Sequence, residues 1–106
     1  METTISKGRD GWEAKTTIDM GAANRVLIIS THKYTGGLVT SATVNKRDGD
    51  FLVWNMFGDF NQRTSYKGAR CTEKTVRDLH QLALDGIEQT MAAAVAHYES
   101  KEGVAA

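Results

Sequence analysis

The chain contains no proline and one cysteine, Cys71. It has no net charge, with 13 basic and 13 acidic residues. No apolar run approaches the ~18 residues that a membrane-spanning helix needs. Each absence removes a class of protein. A single cysteine permits no internal disulfide, which fits a reducing compartment rather than a stapled secreted scaffold. The missing apolar run argues against a helical membrane span. The charge balance argues against a dedicated nucleic-acid binder, which carries a basic excess. Met1 to Lys7 lacks the charged-then-apolar layout of a secretion signal. The expectation is a soluble, cytoplasmic protein.

What is present is ordinary for a globular domain: 106 residues, 41% hydrophobic and 25% charged. That length holds one domain, 1–106. Charge is uneven along it. Residues 1–70 hold ten Lys/Arg and seven Asp/Glu, a net of +3; residues 71–106 hold three and six, a net of −3. The two halves therefore attract each other across the fold.

Without proline, punctuation comes from Gly, Asn and Asp. Thr3–Lys7 reads as a short edge strand and Gly8-Arg9-Asp10-Gly11 as a turn. Trp12, Ala14, Thr16 and Ile18 alternate with polar residues, the pattern of a half-buried strand. Arg25 to Tyr34 contains Val26-Leu27-Ile28-Ile29, apolar on both faces like a central strand. Thr35-Gly36-Gly37 supplies a tight turn into a β-branched strand, Leu38 to Asn45. Arg47-Asp48-Gly49 predicts a second hairpin leading to a strand over Phe51 to Phe57. Phe60 to Tyr66 is open between a bent strand and a loop.

Thr72 is a candidate N-cap, with Glu73 in the first turn. A helix then runs to about Lys101, with Gly103 as its stop and residues 102–106 as a frayed tail. Its apolar stripe is Val76, Leu79, Ala83, Ile87, Met91, Ala94 and Tyr98. The predicted fold is α+β: an antiparallel meander of four to five strands packed by one long C-terminal helix.

No residue set carries an obvious chemistry. His32, His80 and His97 have no second ligand at metal spacing, so no metal site is assigned, and His80 reads as a half-buried packing residue. Cys71 lies just ahead of a helix start, where a thiolate is stabilised, but no base is near it in sequence. Asp59, Asn61 and Arg63, with a histidine, offer acid and base groups to a small hydrolase or transferase. Surface turns are rich in such residues. Lys33, Tyr34, Arg47, Trp54, Arg63, Tyr66 and Lys67 offer a sheet face to single-stranded nucleic acid, although aromatics on a sheet more often form its core. No catalytic residue and no cofactor is assigned.

The helix offers a partner surface. Leu82 falls off the apolar stripe, and Ala92, Ala93 and Ala96 make a small smooth flank. Glu73 to Lys101 is 29 residues, roughly 40 Å of helix, against roughly 23–33 Å for strands of seven to ten residues. One end must overhang, and Met91, Val95 and Tyr98 carry the stripe into it. A homodimer, or docking on a protein partner, through Leu82, Met91, Ala92, Ala93, Val95, Ala96 and Tyr98 is therefore expected. A bend at Gly86 is the competing account.

The hairpin meander NRVLIISTHKYTGGLVTSATVNKRDGDFLVWNMF followed by the helix TEKTVRDLHQLALDGIEQTMAAAVAHYESK resembles, in layout, the small accessory proteins of bacteriophages and prophages, including anti-CRISPR proteins. The resemblance implies a non-enzymatic protein-binding module that occupies a partner's surface, such as an inhibitor of host defence machinery. The alternatives are a nucleic-acid-binding sheet and a small hydrolase or transferase.

Overall fold

The computed structural model describes residues 1–21, 25–48, 51–53 and 60–105, with backbone only at 47–48, 51–53 and 100–105. Two tight turns lay down the first hairpins. Strand β1 (Glu2–Gly8) returns through Arg9-Asp10 as β2 (Gly11–Asp19), and β3 (Arg25–Tyr34) returns through Thr35-Gly36 as β4 (Gly37–Asp48). Gly36 takes φ +85°, a left-handed conformation that other residues adopt only with strain. Val26–Tyr34 and Leu38–Asn45 are thus adjacent and antiparallel, as the turn residues predict.

Beyond β4 the sheet is finished by two segments. Strand β5 (Phe51–Val53) pairs with Lys46–Asp48, and β6 (Asn61–Lys67) pairs with Gly37–Thr43. Both lie across β4 from β3, so they share one outer position. Six strands make a sheet five strands wide, all antiparallel. Of the segment Phe60 to Tyr66, which the sequence leaves open, all but Phe60 is strand. The rest of the expected Phe51–Phe57 strand and Gly49 of its hairpin lie outside the described residues.

The register sorts side chains onto two faces. Thr3 and Ile5, Trp12 to Ile18 in alternation, Leu27, Ile29 and Thr31, Leu38 to Val44 in alternation, and Gln62, Thr64 and Tyr66 share the helix face. Val26, Ile28 and Val39 are buried on the opposite face, as a central strand apolar on both sides requires.

The helical half departs from the expected single helix. Helix α1 covers Glu73–Asp85 and α2 covers Ile87–Ala105, with Gly86 between them at φ −99°, ψ 16°. Glycine costs about 1 kcal/mol in a helix interior, and here it leaves the helical region altogether. The Thr90 N–H and hydroxyl both donate to the Gly86 carbonyl, at 3.1 and 3.2 Å, and secure the restart. The break was hidden because Ile87, Met91, Ala94 and Tyr98 keep the phase of Val76, Leu79 and Ala83. Helix α2 also continues through Gly103, where the sequence predicts its stop and a frayed tail.

Beyond the break, the second helix packs on the same sheet as the first. Ala94 and Tyr98 are buried with Leu27, Ile29, Ala42, Val44 and Phe60, and Ile87, Met91 and Ala93 pack around them. The overhang that motivated a helix-mediated homodimer therefore loses its premise. At the other end, Val76 joins Ala14 and Leu38, flanked by Ile5, Trp12, Cys71 and Leu79. Each fully buried Leu, Ile or Val contributes about 1.5–3 kcal/mol. Thr72 caps α1 as expected: its extended backbone lets its hydroxyl accept from Thr75 N–H at 3.2 Å.

Candidate functional site: an open edge strand beside a groove

Helix α1 brings one polar side chain into the core. His80 is 2% exposed, and its ring bridges two strands. Nε2 lies 2.7 Å from Thr16 Oγ1 and Nδ1 lies 2.9 Å from Thr31 Oγ1. Thr16 Oγ1 is 2.8 Å from Thr3 Oγ1, and Thr31 Oγ1 is 2.9 Å from Thr40 Oγ1. Five side chains thus form one hydrogen-bonded seam from β1 to β4. Burial pushes the His80 pKa below its ordinary 6.5, because the charged ring would lose its water. A neutral ring has one donor and one acceptor, so His80 donates to one of Thr16 and Thr31 and accepts from the other, in a sense set by the tautomer. The seam stops at β4 and does not reach β6.

Strand β6 is different. Among the described residues it pairs only with β4, so its outer backbone groups face outward. Its inner side is locked. A Cβ added at Gly37 would overlap the Tyr66 carbonyl oxygen, and Gly68 N–H donates to Gly36 O at 2.7 Å. Its side chains alternate sharply. Gln62, Thr64 and Tyr66 face the helices; Asn61, Arg63, Ser65 and Lys67 face away. On the helix side a groove of about 260 Å³ runs beside the strand. Ile29, Thr40 and Ala42 form its floor. Gln62, Thr64 and Tyr66 form one wall, and Leu82, Ala83, Gly86, Gln89 and Thr90 form the other. The groove opens where α1 gives way to α2, because the turn at Gly86 carries no side chain to fill it. Leu82 stands in the wall 59% exposed.

On the opposite face the Arg63 guanidinium lies over the Tyr34 ring, 5.0 Å from its centroid. Tyr34 is 46% exposed. Residues 61–70, Asn-Gln-Arg-Thr-Ser-Tyr-Lys-Gly-Ala-Arg, hold three cations and no anion. Farther along that face, Ser30 Oγ is 3.3 Å from His32 Nδ1, and Glu13 and His32 line one pocket just past the end of the β2–β3 ladder. A serine, an imidazole and a carboxylate in one row suggest acyl transfer. Yet alternate residues on a strand meet by default, and 3.3 Å is long for a hydroxyl contact.

The partner-contact residues read from the sequence separate. Tyr98 is buried, with the Arg25 guanidinium 4.1 Å from its ring centroid. Met91 and Ala93 pack on the core, and Val95 is half-buried. Ala92 and Ala96 are exposed on the outer side of α2, and Leu82 is in the groove.

The chemical candidates are likewise dispersed. Cys71 donates its thiol to the Trp12 carbonyl at 3.2 Å and packs beneath Gly11. His97 stacks edge-on against Phe60 and Tyr98. Asp59, Trp54 and the Arg47 side chain lie outside the described residues, while Asn61 and Arg63 are alternate residues of one strand. Of the proposed nucleic-acid face, Tyr34, Arg63 and Lys67 are exposed together, whereas Tyr66 points into the groove. Among the described residues no three His, Cys, Asp or Glu side chains converge on a metal-sized site, and no helix is long and apolar enough to cross a membrane.

The sequence reading missed β6 as an edge and the seam around His80. The seam left a trace, since Thr16 alternates in phase with Ala14 and Ile18. The edge left none, because Gln62 to Ser65 is polar throughout. In comparisons with protein-family models, curated proteins and solved structures, nothing matches this chain.

Proposed function

We propose that this protein is a non-enzymatic binding module that captures an extended segment of another protein by adding it as a strand to β6. The observation that supports this is the coincidence of the open β6 edge with the groove beneath it. Strand addition draws affinity from main-chain hydrogen bonds and specificity from pockets for alternate side chains. Here the edge would supply the first and the groove, with exposed Leu82, the second. Such occupation without catalysis is also what the layout resemblance to bacteriophage accessory proteins implies. A component of host defence machinery, such as a CRISPR complex in the cytoplasm, is one class of target.

The test begins with short linear peptides selected on the intact protein from a displayed random library. The backbone amides of the selected peptides are then methylated one at a time. Methylation at alternate positions should abolish binding, because a strand turns every second N–H toward its neighbour. Binding indifferent to every methyl group would refute strand addition. A second reading, single-stranded nucleic acid on the opposite face, is favoured by the exposed Tyr34–Arg63 stack beside Lys67. It requires binding to oligo-dT that weakens steeply with salt.

A further inference from the structure

The charge pattern of β6 narrows what its edge can hold. A strand laid against β6 must place its residues alternately on the two faces of the sheet, in phase with β6 itself. On the groove face its neighbours are Gln62, Thr64 and Tyr66, all uncharged. On the other face its neighbours are Arg63, Ser65 and Lys67, with Arg70 just beyond the strand end. The Arg63 guanidinium is held over Tyr34, so this cation is positioned before anything binds.

We infer that the segment captured by β6 is an acidic strand, with carboxylates opposite Arg63 and Lys67 and uncharged side chains facing the groove. The inference rests on the strand-addition reading and adds the chemistry of the partner. Its sequence signature is two acidic residues four positions apart, alternating with apolar or uncharged polar residues. A second copy of this chain is the wrong occupant. Two β6 edges would bring a net of +2 against +2, and like charges across strands destabilise. Single-stranded nucleic acid would satisfy the cations but would leave the β6 backbone edge and the uncharged groove without partners.

The test uses the full chain and three labelled peptides. The first is Val-Glu-Val-Thr-Val-Glu-Val. The second replaces both glutamates by glutamine and the third replaces both by lysine. The glutamate peptide should bind about tenfold more tightly than the glutamine peptide, from two cross-strand ion pairs, and the lysine peptide should bind least. The double variant Arg63→Glu, Lys67→Glu, with both sites exposed, should reverse the order in favour of lysine. Equal binding of all three peptides would overturn the acidic preference while leaving strand addition in place. Failure of all three to bind would overturn both. Oligo-dT binding more tightly than the glutamate peptide, or a self-associated species in sedimentation equilibrium instead of an 11.6 kDa monomer, would overturn the assignment of the occupant.

Discussion

The sheet has two edges, one formed by β1 and the other shared by β5 and β6, and β1 and β6 are secured in different ways. Strand β1 is tied inward by side chains: Ile5 packs on the cluster around Val76, and Thr3 enters the hydrogen-bonded seam that runs through His80 to Thr40. Its charges, Glu2 and Lys7, are of both signs. Strand β6 is tied inward chiefly by its backbone, through the ladder with Gly37–Thr43 and the close fit at Gly37. Its charges are of one sign, and a groove runs beside it. An edge that is anchored by side chains and mixed in charge is finished. One that is rigidly placed, cationic and flanked by a groove is built to be joined. Unpaired strand edges invite association, so a firmly placed edge that no other described strand pairs is consistent with use.

The largest effect should come from breaking the inner lock of β6. Gly37→Ala forces a methyl group onto the Tyr66 carbonyl and should cost about 3 kcal/mol or more, read as a lower denaturation midpoint. Because an added Cβ at Gly37 would meet Tyr66, Lys67 and Gly68, amide protection should fall first in β6. Loss of protection spread equally over both edges would show that they are not independently secured.

Next comes the seam that anchors β1. The folded pKa of His80 lies below 6.5 because of burial, whereas the unfolded chain titrates near 6.5. As pH falls below 6.5 the unfolded state takes up a proton that the folded state refuses. Stability is therefore full above that pH and declines below it, by up to about 1.4 kcal/mol per pH unit. The decline stops once the pH passes the folded pKa. Titration of unfolding free energy should show this slope, and His80→Gln should remove it. A wild-type slope of zero from pH 6.5 downward, after correction for carboxylates, would mean that the ring is charged or solvated. Smaller still is Thr3→Val, which deletes the seam's last hydroxyl and should cost about 1 kcal/mol. It should loosen β1 without changing peptide binding at β6, as amide exchange and peptide titration would reveal.

Much of this architecture was legible in the residues, and what was not has physical causes. The Gly36 turn, the Thr72 cap and the stripe from Val76 to Tyr98 are local signals, each set by a few neighbouring residues. The break at Gly86 is local too, but the stripe keeps its period across it, so periodicity argued for continuity and outweighed the cost of one glycine. The seam depends on register. Thr3, Thr16, Thr31 and Thr40 are unremarkable β-formers until four strands align them under His80. Strand β6 lacks the apolar alternation that announces a strand, since Arg63 and Ser65 face outward and Gln62 and Thr64 line a groove rather than a core. Leu82 is the exception: its misfit with the stripe was visible, and the structure places it in the groove wall.

Residue-resolved amide exchange with and without a saturating strand-forming peptide tests the central claim most directly. The account predicts that slowed exchange will appear in β6, between Asn61 and Lys67, while β1 between Glu2 and Gly8 exchanges as before. Protection confined to β1, or to the outer side of α2 around Ala92 and Ala96, with β6 unaltered, would contradict it.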